Sequence, residues 1–188
     1  MLRRVASLAI AVCLGLFGRA AVAQEVVHAL TGTVGSIDRA AKTITVFLDG
    51  GSQGVFNDMT NAKVPLSVDK KLLADATNVD EFKKSGAYAI VFYFGGVDAR
   101  TAVALRSLGM GPFTATSGTV DGFDARHSIS IRDDSGAVQT FKLTADTVAE
   151  GMAGAVDGLK FQAEKGDHVR VVSATKDGSP TALFVGEM

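Results

Sequence analysis

His28, His127 and His168 are all the histidines of the chain, and Cys13 is its one cysteine, so metal and nucleophile chemistry has few side chains to draw on. No two of these histidines are close in sequence, whereas a zinc centre needs three or four clustered donors. Asp133-Asp134-Ser135-Gly136 offers oxygens but lacks the further alternating donors and distal Glu of a calcium loop. It reads as a hairpin turn. HExxH and a phosphate-binding glycine loop are both missing, which leaves metalloprotease and nucleotide chemistry without a motif. No catalytic residue, no metal site and no cofactor is expected. Tyr88 and Tyr93 are the two tyrosines; in a shallow groove with polar neighbours they would suit a weak glycan binder.

The ends and the composition narrow the setting. Arg3 and Arg4 precede an apolar run from Val5 to Phe17, and Ala21-Val22-Ala23 forms a small-x-small cleavage site, so residues 1–23 read as a secretory signal peptide cut before Gln24. "RRVAS" lacks an apolar residue right after the arginine pair, which favours the general route over a twin-arginine one, and Val12 ahead of Cys13 argues against lipidation. No later stretch approaches the roughly 20 apolar residues of a membrane helix. A periplasmic protein with no membrane span is expected.

Removing residues 1–23 takes away the cysteine and three arginines from a chain with 19 basic and 20 acidic residues. The mature protein is then mildly acidic and free of thiols, which argues against disulfides and against a phosphate-backbone partner. With 47% apolar residues and no low-complexity tract, it is a folded chain.

The elements that would position any site are written twice. Gly32-Thr33-Val34 and Asp38 match Gly118-Thr119-Val120 and Asp124; "KTITV" matches "HSISI", "PLSVD" matches "KLTAD", "KSGAYAIV" matches "EKGDHVRV", and Thr101-Ala102 matches Thr181-Ala182. Counting the first two matches as one continuous block, four blocks in one order indicate a duplicated module of roughly 75 to 85 residues. Within each copy Ile44 and Val46, and Ile129 and Ile131, alternate with Thr or Ser, the period of half-buried strands. Asp-Gly and Gly pairs in "DGGS", "DDSG" and "KDGSP" mark the turns between them.

Five strands per copy follow, near 28–38, 42–49, 62–69, 87–94 and 99–107, then near 117–124, 127–133, 137–145, 167–174 and 180–187. Leu72, Leu73, Ala76, Val79 and Phe82 have helical spacing in the first crossing segment, and the Gly- and Ala-rich second crossing has room for a short helix. The fold class is all-β: two tandem five-stranded Greek-key barrels of the OB type. The first covers 24–108, a linker 109–116, and the second 117–188. In "AIVFYFGG" both faces are apolar, with Ile90, Phe92 and Phe94 on one and Val91 and Tyr93 on the other. If the first face is core, Val91 and Tyr93 form a surface for the second module or for a partner.

This pattern, "GTVxxxDxxxxxIxI", a third strand ending in Asp, "K/E-x-G-x-x-V-x-V" and a last strand opening on "TA", resembles small exported bacterial OB-like barrel domains. More distantly it is similar to periplasmic copper and silver carrier barrels. That second resemblance implies a His on an early strand, a Trp and a Met-x-Met pair, thioethers being suited to soft cations. Met59 and His127 stand nearest those roles, with Met110 as a further thioether, but the chain has no Trp and Met59 is flanked at two residues by Asn57 and Asn61. The ligand set is incomplete. OB barrels also bind oligonucleotides or oligosaccharides, yet the second and third strands here offer few aromatics to stack on bases. The expected role is a non-enzymatic exported binding or interaction module of the bacterial envelope with a protein partner and no nucleic acid; the alternatives are a soft-metal carrier and a weak glycan-binding module.

Overall fold

The computed structural model describes residues 24–59, 64–109 and 111–188; the expected signal peptide and Met110 lie outside them. The strands are β1 (Glu25–Val26), β2 (His28–Asp38), β3 (Thr43–Leu48), β4 (Gln53–Asp58), β5 (Leu66–Ser67), β6 (Tyr88–Phe94), β7 (Thr101–Gly109), β8 (Thr114–Asp124), β9 (Ser128–Arg132), β10 (Val138–Lys142), β11 (Val148–Gly151), β12 (Gly154–Asp157), β13 (His168–Lys176) and β14 (Ser179–Glu187). The protein is all-β, as the alternation predicts, and none of the described helices is long and apolar enough to cross a membrane.

Strands β2-β3-β4-β7-β6 close into a barrel. The last antiparallel contact is β2 with β6, and a parallel pairing of Asn57 with Thr101 joins β4 to β7. Strands β8, β9, β10, β14 and β13 make a second ring in the same order, sealed by a parallel pairing of Lys142 with Thr181. Each ring is thus five strands in the spatial order first, second, third, fifth, fourth. The details repeat as well: the first strand bulges between Val34 and Ser36 in one ring and between Val120 and Gly122 in the other. Val34 N donates to Ala87 O and Gly86 N to Val34 O, while Val120 N donates to Asp167 O and Gly166 N to Val120 O.

Both interiors are filled by the residues that the period-two pattern points inward. Val34, Ile44, Val46, Phe56, Ala89, Val91, Ala102 and Leu105 pack inside the first barrel; Val120, Ile129, Ile131, Phe141, Val169, Val171, Ala182 and Val185 pack inside the second. Phe56 and Phe141 are both fully buried. Burial of one such ring is worth about 1.5–3 kcal/mol.

Three expectations about the placement of elements need correction. The third strand of the first barrel is β4, directly after the "DGGS" turn, and not 62–69: Phe56 anchors it, while Leu66 and Ser67 pair instead with Glu25 and Val26 outside the barrel. The first crossing segment holds one 3-10 turn, Lys70–Leu73, whose start is capped by the Asp69 carboxylate accepting from Lys71 N. It does not continue as an α-helix, because Thr77 exchanges both of its backbone hydrogen bonds with Leu105 of β7, at 2.8 Å each. The apolar spacing still has a purpose, since Val79 and Phe82 plug the first barrel and Leu72 faces the second. The second crossing folds as the β11–β12 hairpin, with β11 running parallel to β14.

The connection between barrels is short, β7 ending at Gly109 and β8 beginning at Thr114, and the barrels touch. Val27, Ala29, Leu72, Ile90, Phe92 and Ala104 of the first pack with Val148, Ala155, Val172 and Phe184 of the second. Ile90 and Phe92 therefore face the neighbouring barrel, whereas Val91 is inside its own barrel and Tyr93 packs against that interior. The two faces of this strand are reversed from the sequence expectation, because its pairing of Val91 with Leu30 and Leu105 sets which parity points in.

Candidate functional site

The seam between the barrels is where the polar side chains converge. Glu150 on β11 crosses to the first barrel, its carboxylate accepting from Ala29 N at 2.7 Å and lying 2.6 Å from His28 Nδ1. Ala155 N donates to Val27 O at 2.8 Å, and Gly154, with φ +100°, permits this approach, since a Cβ there would lie 2.4 Å from Val26 Cγ1. Burial raises the Glu150 pKa; the bonds from His28 and Ala29 oppose that rise, and the nearby Glu187 charge adds to it.

Asp49, in the turn after β3, is the second centre. Its Oδ2 accepts from Thr31 Oγ1 and Tyr88 Oη, each at 2.5 Å. Arg170 of β13 reaches it from the other barrel: Arg170 Nε lies 3.3 Å from Asp49 Oδ2, and Nη1 donates to Asp49 O at 3.4 Å. The Nε contact is a charge contact without hydrogen-bond alignment, because that buried nitrogen has no hydrogen-bond partner. The Tyr88 hydroxyl is pushed up to about 12, first by burial and then by its bond to Asp49.

Between these centres lies a cavity of about 340 Å³ lined by both barrels, among them Thr31, Asp49, Tyr93, Glu150, Arg170 and Phe184. Sheet register explains the opening. Glu150 pairs with Gly186 on one side of β14 and Arg170 pairs with Gly186 on the other, so an acid and a guanidinium flank a position with no side chain. The Phe184 ring covers the gap and forms the floor, 2.8 Å from where a Gly186 Cβ would sit. Tyr93 closes the opposite side, its ring 5.5 Å from Phe56 edge-on, 5.7 Å from His28 and 5.3 Å from the Arg100 guanidinium carbon. Burial raises its pKa.

Of the residues singled out by sequence, Tyr93 is in the cavity and Val91 is not. Tyr88 contributes through Asp49. Met59 follows the last residue of β4, half-buried, and His127 is exposed in the turn before β9; they stand on different barrels. Met110 lies outside the described residues, and among the described residues no group of three or more His, Cys, Asp or Glu is placed to hold a metal ion. Asp133 turns its carboxylate on its own loop, accepting from Ser135 N, Ser135 Oγ and Ala137 N. Glu150, Arg170, Asp49 and the pairing of His28 are not visible in the sequence, since only the register across β11, β14 and β13 brings them together. No protein-family model matches the chain, and no curated protein matches it significantly.

Proposed function

We propose that the chain is an exported, non-enzymatic binding module of the bacterial envelope, an accessory to a larger protein assembly, built by duplication of one OB-like barrel. Its binding seat in this reading is the seam cavity. The supporting observation is that residues of both barrels line one concave site combining an apolar floor, an aromatic ring and unequally satisfied charges, the usual composition of a ligand pocket. The repeated strand order and the repeated bulge support the duplication.

A thermal-shift screen of the chain from Gln24 tests the reading, with amino acids, sugars, carboxylates, amines and divalent and soft metal ions as arms. A ligand at 100 times its dissociation constant adds about 2.7 kcal/mol. The expected result is a ligand that stabilises the wild type and fails to stabilise Tyr93→Ala. Equal stabilisation of both proteins by every hit, or no hit at all, overturns it. A second reading, a weak glycan binder, draws on the same Tyr93 ring beside polar groups, and a hit confined to the sugar arm would favour it.

A further inference from the structure

We propose that the seam cavity takes a zwitterion of the amino-acid type, a free α-amino acid or a short peptide, with its carboxylate at Arg170 and its ammonium at Glu150. The inference rests on the seam cavity being the ligand seat, and goes beyond it by naming the ligand's chemistry. Arg170 and Glu150 share one face because both pair with Gly186 and directly paired residues point the same way. Two strand spacings separate their backbones by about 10 Å, and the glycine between them leaves room for a small molecule to lie across the Phe184 ring.

The charges left unused select the ligand. A guanidinium has five N–H donors, and Arg170 spends one on a 3.4 Å bond to Asp49 O. Nε is buried against Asp49 Oδ2, so the remaining Nη hydrogens are the donors available to a carboxylate, which an arginine fork binds well. Asp49 is already engaged by Thr31, Tyr88 and Arg170, so it serves as a positioning residue for Arg170.

On the other wall, the Glu150 carboxylate has about four lone-pair sites, of which His28 and Ala29 N occupy two. Glu187 adds a second carboxylate to the same lining. An anion alone would meet these acids uncompensated. A cation alone would meet Arg170. A molecule carrying both charges satisfies both walls, and Tyr93, Leu48 and Phe184 give its side chain an apolar surround.

Isothermal titration of the chain from Gln24 with L-leucine and dialanine, beside N-acetyl-L-leucine and L-leucinamide, tests this. The free forms are expected to bind, and each blocked form to bind at least tenfold more weakly. Glu150→Gln should weaken L-leucine but not N-acetyl-L-leucine; Arg170→Gln should weaken L-leucine but not L-leucinamide. Should either variant fail to fold by circular dichroism, the four ligands on the wild type still decide. Blocked forms binding within threefold of the free ones, or free forms not binding at millimolar concentration, overturn the zwitterion. Either result leaves the seam reading to the Tyr93→Ala comparison, so the two fail separately.

Discussion

Gly32 and Gly118 stand at the same point of their two barrels: a Cβ on Gly32 would lie 2.5 Å from the Phe47 carbonyl oxygen, and one on Gly118 would lie 2.2 Å from that of Arg132. In each ring the first strand crosses the second so closely that only a hydrogen fits, and the bulge follows directly. The crossing bends an eleven-residue strand far enough to pair at its other end with the fourth strand, which a straight strand cannot do.

Gly118→Ala should therefore destabilise the second barrel by about 1–3 kcal/mol, the usual cost of forcing extra volume into a packed site, and Gly32→Ala the first by a similar amount. The atom met is backbone, so no side-chain rotation relieves it. Urea unfolding of each variant measures the loss. Unchanged midpoints would show that the strand crossing is softer than the geometry states.

Phe92 is fully buried, yet it belongs to neither interior: it lies at the seam with Val172 and Phe184, and the Arg106 guanidinium carbon sits 5.8 Å from its ring centroid. Phe92→Ala should cost about 3–5 kcal/mol. Because the lost contacts join the barrels, the variant is also expected to split one cooperative transition into two. Phe141→Ala, inside the second barrel, should cost as much without that splitting. Calorimetric and van't Hoff enthalpies compared for each protein distinguish the cases.

The fold was more legible than the site, and the reasons are physical. Ile44, Val46, Ile129 and Ile131 announce half-buried strands because a side chain every second residue faces the core. In β4, "QGVFND" shows one inward aromatic and Gly54, too little alternation to outweigh the apolar "PLSVD" further on, although Phe56 is what fills the barrel. For "AIVFYFGG" the alternation gave two apolar faces but not which one points in; strand pairing decides that, and a slip of one residue reverses it. Glu150 and Arg170 carry no local signal, because they meet across Gly186 only through the register of β11, β14 and β13.

Glu150 makes stability depend on acidity in a definite direction. Its folded-state pKa is raised above the ordinary 4.5, chiefly by burial, so the folded protein holds that proton more tightly than the unfolded chain. The contribution is present below pH 4.5 and is lost as pH rises through the folded value. Asp69, Asp121 and Asp133, held low by hydrogen bonds from Lys160, Arg132 and Ser135, act oppositely: their contribution is present above 3.8 and is lost as pH falls. Melting temperatures of wild type and Glu150→Gln from pH 4 to pH 8 isolate the glutamate, since the aspartates cancel in the difference. Wild type should lose ground to the variant as pH rises from 4.5, and a flat difference would mean that His28 and Ala29 N compensate the burial.

Tyr88 gives the matching test at alkaline pH. Burial and the Asp49 bond move its ionisation from 10.0 to about 12, so below pH 10 the neutral hydroxyl contributes its full share to stability, and that share is lost between pH 10 and pH 12. The tyrosinate absorbance that Tyr88→Phe removes should appear near pH 12, read in the first seconds after a pH jump, before unfolding contributes. Tyr93 is also shifted up by burial, opposed by the Arg100 charge, and it remains in both proteins, so the difference reports Tyr88 alone. Ionisation of the removed group near pH 10 would mean that the hydroxyl is not held against Asp49. In that case Asp49 would keep only Thr31 and Arg170, and the wall that orients Arg170 toward the cavity would be looser than the 2.5 Å contact implies.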